Sequence, residues 1–118
     1  MSQEQKISSK GYEELSIQES DLLNSLLEQS RDVFDFQGKK AAFITGSNGN
    51  KIISKSEYFS TCINPWLNDG ITPQIGIVIL SDEEKNQSGG YDAFVFSWVK
   101  IITNKQKKRI IKELSQNE

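Results

Sequence analysis

The apolar positions of this chain change their spacing several times, and each change marks an element. After Leu15, the residues Leu22, Leu23, Leu26, Leu27, Val33 and Phe34 recur at helical intervals, while Gln18, Asp21, Asn24, Ser25, Glu28 and Arg31 take the other side. Ser16 followed three residues later by Glu19 is a capping-box signature: the serine oxygen accepts an orphan amide and the glutamate reaches back. A first helix is therefore predicted over residues 17–34. Lys40–Thr45 and Lys51–Ser54 then flank Gly46-Ser-Asn-Gly-Asn50, and Asn-Gly between β-branched segments predicts a type I′ hairpin. With Asn48-Gly49 at the turn, Ile44 faces Ile53. Ser54 and Glu57 predict a second cap, leading a stripe of Tyr58, Phe59, Cys62 and Ile63. That helix is expected to stop at Asn64, because a residue before proline is pushed out of the α region.

Residues 74–80, Gln-Ile-Gly-Ile-Val-Ile-Leu, are apolar on both faces and predict a central, doubly covered strand. Ser81 to Gly90 is polar and ends in two glycines, so it is expected to be a mobile loop. From Tyr91 to Ile102, Phe94, Phe96 and Trp98 alternate with Val95, Ser97 and Val99, which predicts a second central strand. Asn104 is placed to cap a last helix, 105–115, with Ile110, Ile111 and Leu114 as its core stripe. The first twelve residues are polar and predict a flexible arm ahead of a single domain over 13–118. The expected fold is α+β, with an antiparallel sheet of about four strands and helices packed on it in the order α-β-β-α-β-β-α. In layout this order resembles the roadblock and profilin-like scaffolds, a resemblance that implies a homodimeric scaffold.

At 118 residues and 13.4 kDa the chain has the size of one domain, large enough to bury a core without metal or disulfide support. Its longest apolar stretch, Ile75 to Leu80, is far shorter than the ~20 residues a membrane span needs. The first ten residues hold no apolar core of the kind a secretory leader has. A soluble, cytoplasmic protein is expected. There is no histidine and a single cysteine, Cys62, so neither an internal disulfide nor a Cys/His zinc cluster is available. The glycines of Gly46-Ser-Asn-Gly49 sit three apart and precede a β-like segment, which does not fit a phosphate-cradling loop. Without histidine no Ser-His or Cys-His nucleophile pair exists, and Cys62, on an apolar stripe, is expected to be buried and inert. Acid pairs occur at Asp32/Asp35 and within Asp82-Glu83-Glu84, the latter read as a solvated run. No enzyme, metal or cofactor is expected.

Charge adds the functional expectation. The net charge is −2, but residues 1–36 carry −5 and residues 100–118 carry +4. Such asymmetry marks separate binding faces, or two helices that attract each other. A small acidic chain of this kind fits a non-enzymatic protein-binding module. The favoured reading is an inhibitor of the bacterial immunity or antitoxin type that neutralises a basic toxin, such as a nuclease, by mimicking phosphate charge. The candidate partner-binding residues are Glu19, Asp21 and Glu28 on the first helix and Asp82, Glu83 and Glu84 in the acidic segment. Trp66 and Tyr91 join them as partly exposed aromatic anchors. A homodimeric scaffold is the alternative. Lys105, Lys108 and Arg109 are candidate nucleic-acid contacts for a third reading, although neither nucleic acid nor membrane is the expected partner of an acidic chain. Cations at the start of a helix oppose its dipole, so this run calls for a partner or for acidic neighbours within the fold.

Overall fold

The computed structural model describes residues 15–28, 34–45, 51–97 and 102–116. Within them the chain forms helix α1 (Ile17–Glu28), strands β1 (Ala41–Thr45) and β2 (Lys51–Ile53), and helix α2 (Lys55–Tyr58), which runs through a π-helical turn (Phe59–Ile63) into α3 (Asn64–Asn68). Strand β3 (Ile75–Ile79), helix α4 (Asp82–Gln87), strand β4 (Ala93–Ser97) and helix α5 (Asn104–Gln116) follow. The α+β class is as expected. The predicted arm and the Asn48-Gly49 turn lie outside the described residues.

The four strands make one sheet in the order β2-β1-β4-β3. Strand β1 is antiparallel to β2 but parallel to β4, and β4 is antiparallel to β3. The sheet is therefore mixed, not antiparallel throughout. The segment α2–α3 carries the chain from β2, on one edge, to β3 on the opposite edge. The gap left between β1 and β3 is filled by β4, which must oppose β3 and so runs alongside β1. Strand β3, expected to be central, is an edge strand, while β4 is buried along its whole length.

Alternation along the strands splits the interior into two cores. On one face Ala41, Phe43, Ile53, Ile75 and Val95 pack with Leu23, Leu26 and Leu27 of α1 and with Tyr58, Phe59, Cys62 and Ile63. On the other face Ala42, Ile44, Phe94 and Phe96 pack with Leu80, Tyr91 and the α5 residues Ile110 and Ile111, flanked by Leu114. The hairpin register differs by one residue from the expected one. Phe43 faces Ile53 and Ile44 faces Ile52, which puts Ile44 and Ile53 in opposite cores. A one-residue slip exchanges the two faces of a strand, and the adjacent pair Ile52-Ile53 offers an apolar side chain in either case.

Three helix boundaries also differ from the sequence reading. Phe34 is not helical, so α1 does not reach it. The helix after Ser54 passes through Asn64 instead of ending there. The π turn gives the Asn64 amide to the Phe59 carbonyl and closes before Pro65. Pro65 therefore enters at the start of α3, where its missing N–H leaves no gap. Residues 82–87, expected to be loop, form α4. Its start is a complete capping box: Ser81 Oγ accepts from the Glu84 amide at 3.2 Å and Glu84 Oε1 accepts from the Ser81 amide at 3.0 Å. Helix α5 opens on an equivalent arrangement between Thr103 and Gln106, at 3.1 and 2.9 Å, so Thr103 rather than Asn104 is its cap. Replacing Ser81 by alanine is expected to lower stability by about 1 kcal/mol. Urea unfolding checks this, with Ser56→Ala, at an exposed position inside α2, as the near-neutral control.

Candidate functional site

The two oppositely charged helices lie on opposite sides of the sheet, since α1 contributes to one core and α5 to the other. Their charges do not neutralise each other; they define two separate faces.

On α1 the leucines at 23, 26 and 27 point inward, which turns Gln18, Asp21, Ser25 and Glu28 to solvent. The helix contains no lysine or arginine, and Glu28 stands in its last turn, where a negative charge opposes the helix dipole. Glu19 behaves differently from Asp21 and Glu28. Its Oε1 accepts from the Ser16 amide at 2.8 Å, Ser16 Oγ accepts from the Glu19 amide at 3.1 Å, and Lys55 Nζ lies 3.2 Å from Oε1. Partial burial pushes this carboxyl up, but the Ser16 amide and Lys55 outweigh it and hold it below the ordinary value. Glu19 caps the helix and ties α1 to α2, leaving Asp21 and Glu28 as the outward acids of this face.

The second acidic set lies in the first turn of α4, where negative charge favours the helix dipole. Asp82 and Glu83 are exposed, but Glu84 is held by its cap and by Lys107 Nζ at 2.9 Å. The Ser81 amide, then Lys107, lower its pKa. Glu84 is thus an acidic neighbour within the fold for one of the cations opening α5, Lys107, while Lys105, Lys108 and Arg109 stay exposed. The helices are also joined by Ser115 Oγ, which shares its hydrogen between the Ile111 carbonyl of its own helix, at 2.9 Å, and the Gln87 carbonyl of α4, at 3.2 Å. A groove of about 480 Å³ runs between them, with Glu83 and Glu84 on one wall, Lys108 and Lys112 on the other and Ile111 among its lining. Its walls have mixed sign, unlike the outer face of α1.

Lys105, Lys108, Arg109 and Lys112 are all exposed, and their spacing of three, four and seven residues puts them on the side of α5 away from Ile110 and Ile111. Trp66 is half-buried in α3. Tyr91, expected to be partly exposed, is only 3% exposed and belongs to the α5-side core. Two glycines precede it, but β4 begins two residues later and draws the ring inward.

The ends of β1 and β4 carry a polar seam that no sequence motif signalled. Ser97 Oγ donates to Thr45 Oγ1 at 3.3 Å, Cys62 Sγ lies 3.5 Å from both Thr45 Oγ1 and Thr61 Oγ1, and the Tyr58 hydroxyl donates to the Phe96 carbonyl at 3.4 Å. Burial raises the Tyr58 pKa well above its ordinary value. Cys62 is buried, as expected. Each group of the seam has a polar neighbour, and the set contains no base to activate the thiol. Among the described residues no group of three His, Cys, Asp or Glu side chains is arranged to hold a metal ion, and no helix is long and apolar enough to cross a membrane.

A third structural carboxylate is Asp92, whose Oδ2 accepts from the Lys40 amide at 2.8 Å and whose Oδ1 lies 3.0 Å from Lys85 Nζ. Burial raises its pKa, but the Lys40 amide and Lys85 outweigh this and lower it overall. Glu19, Glu84 and Asp92 are thus all held below their ordinary values of 4.5, 4.5 and 3.8. A carboxyl whose pKa falls on folding adds stability that is complete above its unfolded value and is lost as pH drops through the folded one. The melting temperature is expected to stay level from neutral pH down to about 5 and to fall below about 4, with a shallower fall in Glu84→Gln.

The fold is an α+β three-layer arrangement, with a mixed four-stranded sheet between helices and one charged helix on each outer side. The chain belongs to the DUF8192 family, described as a domain of unknown function, whose model matches residues 11–116. No curated protein and no solved structure shows significant similarity to it.

Proposed function

We propose that this protein is a non-enzymatic, cytoplasmic protein-binding module that inhibits a basic partner, in the manner of bacterial immunity and antitoxin proteins. The observation that carries the reading is the outer face of α1. Asp21 and Glu28 are exposed there on a helix without cations, across the sheet from the basic helix. Glu28 is poorly placed for helix stability, so binding gives that charge a role that folding does not. A rigid helix presenting carboxylates about two turns apart offers a cationic cleft the charge of a phosphate strand without its flexibility. The acids of α4 contribute less, because Glu84 is spent on Ser81 and Lys107.

The test is affinity capture from the source cells, with the adjacent reading frame co-expressed. The expected result is one basic protein, toxic when expressed alone and silent when co-expressed with this chain. Tight binding to RNA or DNA at physiological salt, lost when Lys105, Lys108 and Arg109 are neutralised, would move the function to α5 and overturn the proposal.

A further inference from the structure

Strand β3 lies at an edge of the sheet but has the composition of an interior strand. Ile75-Gly-Ile-Val-Ile79 carries no charge and no proline, and it pairs with β4 residue for residue without a bulge. Natural edge strands are usually shortened, charged, kinked or covered, because their unpaired amides and carbonyls recruit other strands. The opposite edge follows that rule: β2 has three residues and begins with Lys51. Among the described residues nothing pairs with the outer side of β3.

A second observation points to the same place. The large apolar side chains exposed among the described residues are Ile17, Leu67, Ile71 and Ile79. Ile79, at 58% exposure, lies in β3, while Ile71 and Leu67, at 47% and 37%, lie in the segment leading into it. Ile79 is on the same face of the strand as Ile75 and Ile77, which pack into the α1-side core. That core therefore continues to the edge of the sheet and is left open there.

We infer that the occupant is a second copy of this chain, with β3 paired antiparallel to β3 of the partner subunit about a two-fold axis at Ile77. One face of the strand reads the same in both directions, as Ile75, Ile77 and Ile79. With Ile77 on the axis, Ile75 stands opposite Ile79 of the partner subunit and Ile77 opposite its own copy. The other face sets Gly76 against Val78 of the partner subunit, small against large. Every cross-strand pair is then apolar and matched in face. A slip of one residue would turn the isoleucines to opposite faces, and a slip of two would leave Ile79 opposite Pro73 or Ile75 opposite Ser81 of the partner subunit, depending on its direction. An isologous contact needs this self-complementarity, whereas a foreign strand has no use for it. The product is a continuous eight-stranded sheet made from two four-stranded ones. The inference is independent of the inhibitor reading, since the outer faces of α1 and α5 lie above and below the sheet and stay open.

Sedimentation of the full chain, over a concentration series reaching its solubility limit, is expected to show a species of twice the 13.4 kDa protomer mass. Ile79→Lys alters an exposed position and should keep the circular dichroism spectrum while returning the mass to one protomer. Ile77→Cys should give a covalent dimer with a short bifunctional maleimide. Ile79→Cys should not, because its two copies would stand about 14 Å apart at ~3.4 Å per residue. The unaltered chain, with Cys62 buried, is the control. A single-protomer mass throughout, a dimer that survives Ile79→Lys, or stronger linking at 79 than at 77 would overturn the inference.

Discussion

Phe43→Ala is expected to cost about 3–5 kcal/mol, a large share of the roughly 5–15 kcal/mol that holds a domain together. Phe43 is fully buried on β1, with its ring centroid 4.9 Å from that of Tyr58 and 6.4 Å from that of Phe59. Truncation removes the buried ring and leaves a cavity between the sheet and the π turn, whose walls are tied to backbone and relax only in part. The measurement is urea unfolding followed by circular dichroism. The neighbouring strand tests the register in the same experiment. Ile53 faces Phe43 and is buried, whereas Ile52 faces Ile44 and is half-buried. Ile53→Ala should therefore cost about 2–5 kcal/mol and Ile52→Ala distinctly less. If Ile52→Ala proves the costlier, the hairpin is paired in another register.

Reversing Asp21 and Glu28 together to lysine is expected to slow association with the captured partner by at least about tenfold at low salt, since steering changes on-rates by roughly 10–1,000-fold. Both positions are exposed, so the fold should be unaffected. The effect should shrink as salt rises, because exposed charges are screened beyond ~8 Å at physiological ionic strength. Asp82→Lys with Glu83→Lys is the matched comparison and should slow association less, since Glu83 lines the groove that Lys108 and Lys112 of α5 also line. Stopped-flow or surface-based kinetics at several salt concentrations reads both variants. Greater slowing by the α4 pair would move the interface to the α4–α5 side, and no change in either would remove electrostatic steering from the proposal.

What could be read from the chain followed from periodicity and capping chemistry, both local. The leucines of α1 and the isoleucines of α5 announce helices that bury one stripe, and Ser16 with Glu19 marks a helix start that the structure reproduces bond for bond. The same capping pattern at Ser81 and Glu84 was legible too. The polarity of this stretch and its two closing glycines point to a loop instead, and the six-residue helix is held by that cap and by Lys107 of α5. Charge and expected exposure single out the candidate site residues, and charge alone does not separate a free carboxylate from a paired one. Glu19 and Glu84 proved to be caps with lysine partners, Tyr91 proved to be core, and Asp21, Glu28, Asp82 and Glu83 stayed exposed.

The sequence by itself determined the α+β class, most of the element order and the two stripes that anchor the outer helices, because each depends on side chains a few residues apart. Tertiary structure decided the hairpin register, the parallel pairing of β1 with β4, the edge position of β3 and the passage of a helix through Pro65. An apolar pair such as Ile52-Ile53 satisfies either register, and an all-apolar strand such as Ile75–Ile79 suits an edge as well as a centre. Only the competition among the strands for neighbours, and of the two helical layers for the two faces of the sheet, selects among those local solutions. That same competition placed the acidic helix and the basic helix on opposite sides of the molecule.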